Sequence, residues 1–116
     1  MTDMSPDRWV VCLCAQWCNV CRGLQADFEA LAARSPGARF AWVDVEDEEA
    51  LVGDFDIETF PTVLMGSGAE LRFAGPVQPQ ARVIERLMAG LLERGGTALD
   101  DAEALAVLQR VIASRS

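Results

Sequence analysis

The chain has 116 residues, 51% of them hydrophobic, with 18 acidic side chains against 10 basic ones and a formal net charge of −8. That length and apolar content suit one compact domain with its own core and leave no room for a second. The negative charge argues against nucleic acid or an anionic membrane surface as partner, and the absence of both His and Lys removes imidazole and amine bases from any mechanism.

Residues 1–8 form a polar, acidic lead-in without the basic start and apolar run of an export signal, and no later stretch has the length of a membrane-spanning helix; a cytoplasmic protein is expected. Residues 9–15 are a near-continuous apolar run, the mark of a strand buried on both faces. Trp17-Cys18-Asn19-Val20-Cys21 follows and opens a helix expected over residues 18–33, with Val20, Cys21, Leu24, Phe28 and Leu31 at helical spacing; Arg34-Ser35-Pro36-Gly37 ends it. Residues 39–45 read as a second strand, and residues 48–55 as a short helix carrying Leu51, Val52 and Phe55 on one side. These form a βαβ unit with parallel strands and a right-handed crossover.

Two further short strands, residues 62–65 and 70–74, are joined by the glycine-rich connection Gly66-Ser67-Gly68-Ala69. After Gly75-Pro76 comes a helix with Val83, Ile84, Leu87, Met88, Leu91 and Leu92 on one apolar face, stopped by Gly95-Gly96. Residues 97–116 predict a last helix capped at Thr97 or Asp100, the latter with Glu103 at capping-box spacing. Its apolar face is Leu105, Leu108 and Ile112, with Ala102 and Val111 at the margins. Such a face is buried either on the sheet of the same chain or against a second copy or partner, so a monomer or weak homodimer is expected.

The chemistry sits in the cysteines, all four of which fall between Cys12 and Cys21. A strand ending at a helix N-terminus presents Cys18 where backbone N–H groups and the helix dipole favour a thiolate, the species that attacks a disulfide. Cys21, one turn further on, is placed to resolve the mixed disulfide that Cys18 would form. The same spacing serves zinc knuckles, so the pair alone leaves redox and metal chemistry both open. Cys12 and Cys14, two apart on a strand, point to one face. They read either as small buried hydrophobes or, for Cys14, as an extra thiol near the site; Cys12-x-Cys14-x3-Cys18-x2-Cys21 would even supply four thiolates for zinc.

The order βαβαββα over residues 9–95 resembles the thioredoxin fold in a short form that lacks an extra strand and helix in front. The resemblance is carried by Trp17-Cys18-x-x-Cys21, Val43-Asp44-Val45 ending the second strand, Phe60-Pro61-Thr62 opening the third, and Gly75 after the fourth. It implies an open mixed four-stranded sheet with helices on both faces, to which residues 96–116 add a C-terminal helical extension. It implies further a thiol–disulfide oxidoreductase in which Cys18 attacks, Cys21 resolves and the two form the redox-active disulfide. Pro61 would be cis beside the dithiol, and Phe60 would pair through its backbone with an extended substrate peptide. Trp17, Asn19, Val20 and Gly75 complete the substrate surface. Implied partners are proteins bearing disulfides and a dithiol electron donor such as a thioredoxin-reductase or glutathione system, with no organic cofactor and no metal.

Two departures and an acidic run qualify that reading. The acidic residue and the lysine that thioredoxins keep near the dithiol are replaced by Cys12 and Trp42, so deprotonation of Cys21 would need water or another carboxylate. Asn19-Val20 between the cysteines includes no histidine, which favours a reductant over a strong oxidant. The acidic run Asp44, Glu46, Asp47, Glu48, Glu49, Asp54, Asp56 and Glu58 reads as a solvated helix with its loops, or as a docking surface for basic partners. The competing functions are a non-catalytic binding module or assembly chaperone with a regulatory dithiol, and a zinc–thiolate protein.

Overall fold

The chain enters its sheet at the centre. In the computed structural model, which describes residues 8–68, 70–93 and 98–115, β1 (Arg8–Cys14) pairs in parallel with β2 (Arg39–Asp44) on one side. On the other it pairs antiparallel with β3 (Thr62–Ser67), which pairs antiparallel with β4 (Glu70–Pro76). The strand order is β2-β1-β3-β4, the open mixed sheet expected. β1 is buried on both faces because strand alternation sends Trp9, Val11 and Leu13 into one apolar layer and Val10, Cys12 and Cys14 into the other.

Helices cover both layers. α1 (Asn19–Ala33) and α3 (Ala81–Met88), the latter continued by a π-helical turn at Ala89–Glu93, pack on the cysteine-bearing face. α2 (Glu49–Val52) and α4 (Ala102–Arg115) pack on the opposite one. Within α1 the buried residues are Cys21, Leu24, Phe28 and Leu31, the expected stripe without Val20, which is 46% exposed. Val20 lies about 100° around the helix from Cys21, which turns it to solvent. Both hairpin strands run two residues longer than the pattern suggested, with a bulge between Met65 and Gly66, and α2 is a single turn.

α4 takes the intramolecular option. Ala104, Val107, Leu108 and Val111 are buried in the same core as β1, whereas Leu105 and Ile112 flank the contact and Ala102 is exposed, so the stripe is rotated from the one expected. Close approach explains the rotation: small Ala104 faces the sheet, and Leu108 lies where a Cβ on Gly66 would be. The N-cap is Asp101, whose Oδ1 accepts the Ala104 N–H at 3.0 Å, one residue past the expected Asp100. Thr97 and Gly95-Gly96, the other expected boundary residues, lie outside the described residues, as do residues 1–7 and Ala69 of the hairpin connection.

Arginines lock α4 down. Arg110 donates to the carbonyls of Leu51 (2.8 Å) and Val52 (3.2 Å), satisfying acceptors at the C-terminus of α2. Arg115 makes a bidentate ion pair with Glu48 at 2.8 and 2.9 Å and donates to the Trp42 carbonyl at 3.1 Å. Arg39 in turn donates to the Arg115 carbonyl. α4 is thereby tied to α2 and to β2.

Candidate active site

Where β1 stops, the chain makes one tight turn into α1. The Cys18 N–H donates to the Ala15 carbonyl at 3.0 Å, and the Arg22 N–H to the Cys18 carbonyl at 3.1 Å. Cys18 has extended backbone angles, φ −85° and ψ 113°, and is the N-cap residue of α1. Its side chain makes no cap hydrogen bond and packs at the edge of the apolar layer shared by β1 and α1. It is free and half-buried.

Some of the residues expected at a substrate surface lie near it. Trp17 is 64% exposed, and its ring meets Phe60 edge to face, centroids 5.7 Å apart. The Phe60–Pro61 peptide bond is cis. Pro61 is buried, its carbonyl accepting the Val77 N–H at 3.1 Å, and the Thr62 hydroxyl donates to the Thr59 carbonyl at 2.7 Å; both bonds fix this corner of the sheet. Asn19 is exposed and accepts from the Arg22 guanidinium, so Arg22 is turned to its own helix. Gly75 stands farther off, opposite Val63 on β4, in a groove whose rim carries Asp56, Glu58 and Asp101.

The sulfurs are paired otherwise than the resemblance implies. Cys21 is bonded to Cys14, with Cα atoms 5.8 Å apart, and Cys18 is left free. Both bonded residues face the same apolar layer, Cys14 from the last position of β1 and Cys21 from the first turn of α1, and each is only 1% exposed. Cys14 is thus tied covalently to the second cysteine of the motif and is not a free thiol in the core. Cys12 is fully buried with its Sγ 3.8 Å from that of Cys14, and burial pushes its thiol up to about 12. A four-thiolate zinc site does not exist in this state, because two of its sulfurs are shared in a covalent bond.

Around the bridge the surroundings are apolar. Cys12 sits opposite Trp42 in the β1–β2 register, and Trp42 packs on Phe28 with centroids 5.5 Å apart. Asp44 is not turned toward the sulfurs: its Oδ1 accepts the N–H groups of Glu46 (2.9 Å) and Asp47 (3.2 Å), closing the turn after β2. Thr62 is the only buried polar or charged residue among those described. The pairing of Cys14 with Cys21 and the contact of Trp17 with Phe60 were the features sequence reasoning missed. Strand and helix parity turn Cys14 and Cys21 to one layer but do not decide whether they meet, and nothing in the linear sequence signals the second.

This fold, with a C-x-x-C motif at the strand-to-helix turn facing a cis proline, defines a thioredoxin-fold protein. The family model for thioredoxin matches residues 2–88, and the chain belongs to the thioredoxin family. A protein disulfide isomerase-like 2-3 of Oryza sativa subsp. japonica is 32% identical over 95 residues, which are 81% of this chain and 21% of the rice protein. A thioredoxin H-type of Oryza sativa subsp. indica is 37% identical over 57 residues, 48% of this chain and 47% of that protein. The chain thus spans less than half the length of these curated relatives. Among solved structures, Fasciola hepatica thioredoxin superposes with a TM-score of 0.63 at 26% identity, covering 72% of this chain and 81% of that one.

Proposed function

We propose that the chain is a thiol–disulfide oxidoreductase acting on disulfides of other proteins, working in the cytoplasm and contributing to cellular redox balance. The observation that carries this reading is the setting of Cys18: of the four cysteines it alone is both free and open to solvent, at a helix N-terminus, flanked by exposed Trp17 and Val20 and near Phe60 beside cis Pro61. The names of its relatives, a disulfide isomerase-like protein and a thioredoxin, point the same way.

The Cys18 thiolate attacks one sulfur of the substrate disulfide, forming a mixed disulfide and expelling the first substrate thiolate. The Cys21 thiolate then attacks Cys18 Sγ, forms Cys18–Cys21 and expels the second. Two electrons pass from the dithiol to the substrate, and an external dithiol, of the thioredoxin-reductase or glutathione class, returns them. No organic cofactor takes part. The acidic rim beside Gly75 favours substrates with basic segments.

The test is dithiothreitol-driven reduction of insulin. The wild-type protein accelerates it and Cys18→Ser does not. A wild-type protein with no effect would leave the binding-module reading in its place, and equal rates for both proteins would remove Cys18 from the mechanism.

A further inference from the structure

Two thiols are within reach of Cys21. Cys18 lies one helical turn before it, and Cys14, at the end of β1, has its Cα 5.8 Å away and is the partner to which Cys21 is bonded. That separation falls within the ordinary range for disulfides, about 4.4–6.8 Å, so the bridge requires no backbone movement. We propose that Cys14 is a third redox thiol of this site: it takes Cys21 over from Cys18, so that the oxidised protein keeps its disulfide as buried Cys14–Cys21 and regains Cys18 as a free thiol. The proposal rests on the exchange reading above and adds a step to it.

The step is an internal exchange. Once Cys18–Cys21 has formed, the Cys14 thiolate attacks Cys21 Sγ; the Cys14–Cys21 bond forms, the Cys18–Cys21 bond breaks, and Cys18 leaves as the thiolate. No electrons enter or leave, and one proton moves from Cys14 to solvent or to Cys18. Over a whole turnover the Cys14 and Cys21 thiols become a disulfide while the substrate disulfide becomes two thiols. Burial favours the direction, since Cys14 gains a covalent bond in an apolar layer where a thiolate would be poorly solvated, whereas the sulfur released at Cys18 is half-buried and free.

Burial then makes Cys18 the way out as well as the way in. With both bridged sulfurs in residues 1% exposed, an external reductant cannot approach Cys14–Cys21 in line. The Cys18 thiolate must first attack Cys21 Sγ and bring the disulfide back to the surface, where the donor can open it. Oxidised protein in this form also keeps a reactive thiol able to capture a second disulfide. Cys12, its Sγ 3.8 Å from that of Cys14, is left as a free thiol in this arrangement.

The experiment is disulfide mapping after oxidation with oxidised glutathione. Chymotryptic cleavage after Trp17 separates Cys14 from Cys18 and Cys21, and cleavage after Leu13 separates Cys12 from Cys14. Oxidised wild-type protein should yield two peptides joined through Cys14 and Cys21, with Cys18 alkylated by iodoacetamide. Cys18→Ser should still form that bridge, and dithiothreitol should open it on the order of tenfold more slowly than in the wild type, for want of the internal nucleophile. Cys14→Ala should instead carry Cys18–Cys21, and Cys12→Ala should map like the wild type. A wild-type map showing only Cys18–Cys21, with three free thiols in oxidised Cys18→Ser, overturns the relay while leaving insulin reduction intact. Equal opening rates in wild type and Cys18→Ser overturn Cys18 as the gate. Loss of insulin reduction by the wild type sinks the exchange reading, and the relay with it, whatever the map.

Discussion

Leu108→Ala is the substitution that most sharply probes how α4 is built into the fold. Leu108 is 1% exposed and lies over Gly66, at the bulge between β3 and β4. Truncation to Ala leaves a cavity against sheet backbone, which cannot collapse as freely as a layer of side chains. The cost should therefore lie in the upper part of the range for such changes, about 3–5 kcal/mol. For a domain of this size that is a fall in Tm of roughly 12–20 °C. Gly66→Ala tests the same contact from the other side, because its new Cβ would collide with Leu108 Cδ2 and stand 3.0 Å from the Glu70 carbonyl oxygen. Alone it should destabilise by about 1–3 kcal/mol as an overpacked site. In the Leu108→Ala background the collision with the side chain is gone, so the cost of Gly66→Ala should drop by about 1 kcal/mol or more. Urea unfolding of the two singles, the double and the exposed control Gln109→Ala gives the cycle, the control staying within about 0.5 kcal/mol of wild type. A loss below about 1 kcal/mol for Leu108→Ala, or strict additivity in the double, would refute the docking of α4 on the sheet.

Arg110→Ala removes the donors to Leu51 and Val52 and should destabilise by about 1–2 kcal/mol in the same urea assay, with Arg110→Lys recovering only part because a lysine cannot fork to two carbonyls. Burial raises the Cys12 thiol to about 12 from its ordinary 9.0, so the unfolded chain loses this proton first as pH rises. The associated stability is fully present below about pH 9 and is lost progressively between about 9 and 12. Denaturation at pH 7 and pH 10.5 should show Cys12→Ala losing less stability over that interval than wild type. Trp17→Ala should leave stability within about 0.5 kcal/mol, since the ring is 64% exposed, while raising the KM for a protein disulfide roughly three- to tenfold through loss of about 0.5–1.5 kcal/mol of aromatic contact. Steady-state insulin reduction reads the second effect.

The parts of the molecule legible in the sequence were those governed by local periodicity. The apolar run of β1 declared a doubly buried strand because both its faces are covered, and Leu24, Phe28 and Leu31 marked the inner face of α1 because nothing interrupts their spacing. The candidate site was legible through Cys18 and the Phe60–Pro61 pair, where motif and chain order agreed. What escaped was set by distances across the fold. Whether Cys21 meets Cys14 or Cys18 depends on how tightly residues 15–17 turn, and the Cys18 N–H bond to Ala15 that fixes the turn has no signature in residue type. The face of α4 was misjudged by the same kind of gap: Leu105 and Ile112 look like core residues by hydropathy, yet Gly66 draws Leu108 and Ala104 inward and leaves the larger pair at the rim. Its cap falls one residue later than the capping-box spacing suggested, because Asp101, and not Asp100, accepts the Ala104 N–H.

The most direct measurement is to trap the covalent intermediate. Cys21→Ser protein, reduced and then mixed with insulin, can form a mixed disulfide but lacks the thiol that resolves it. Exchange led by Cys18 predicts an adduct on a non-reducing gel that dithiothreitol releases and whose chymotryptic map places the insulin cysteine on Cys18. No adduct, or an adduct on Cys14 or Cys12 with Cys18 still open to iodoacetamide, would contradict it.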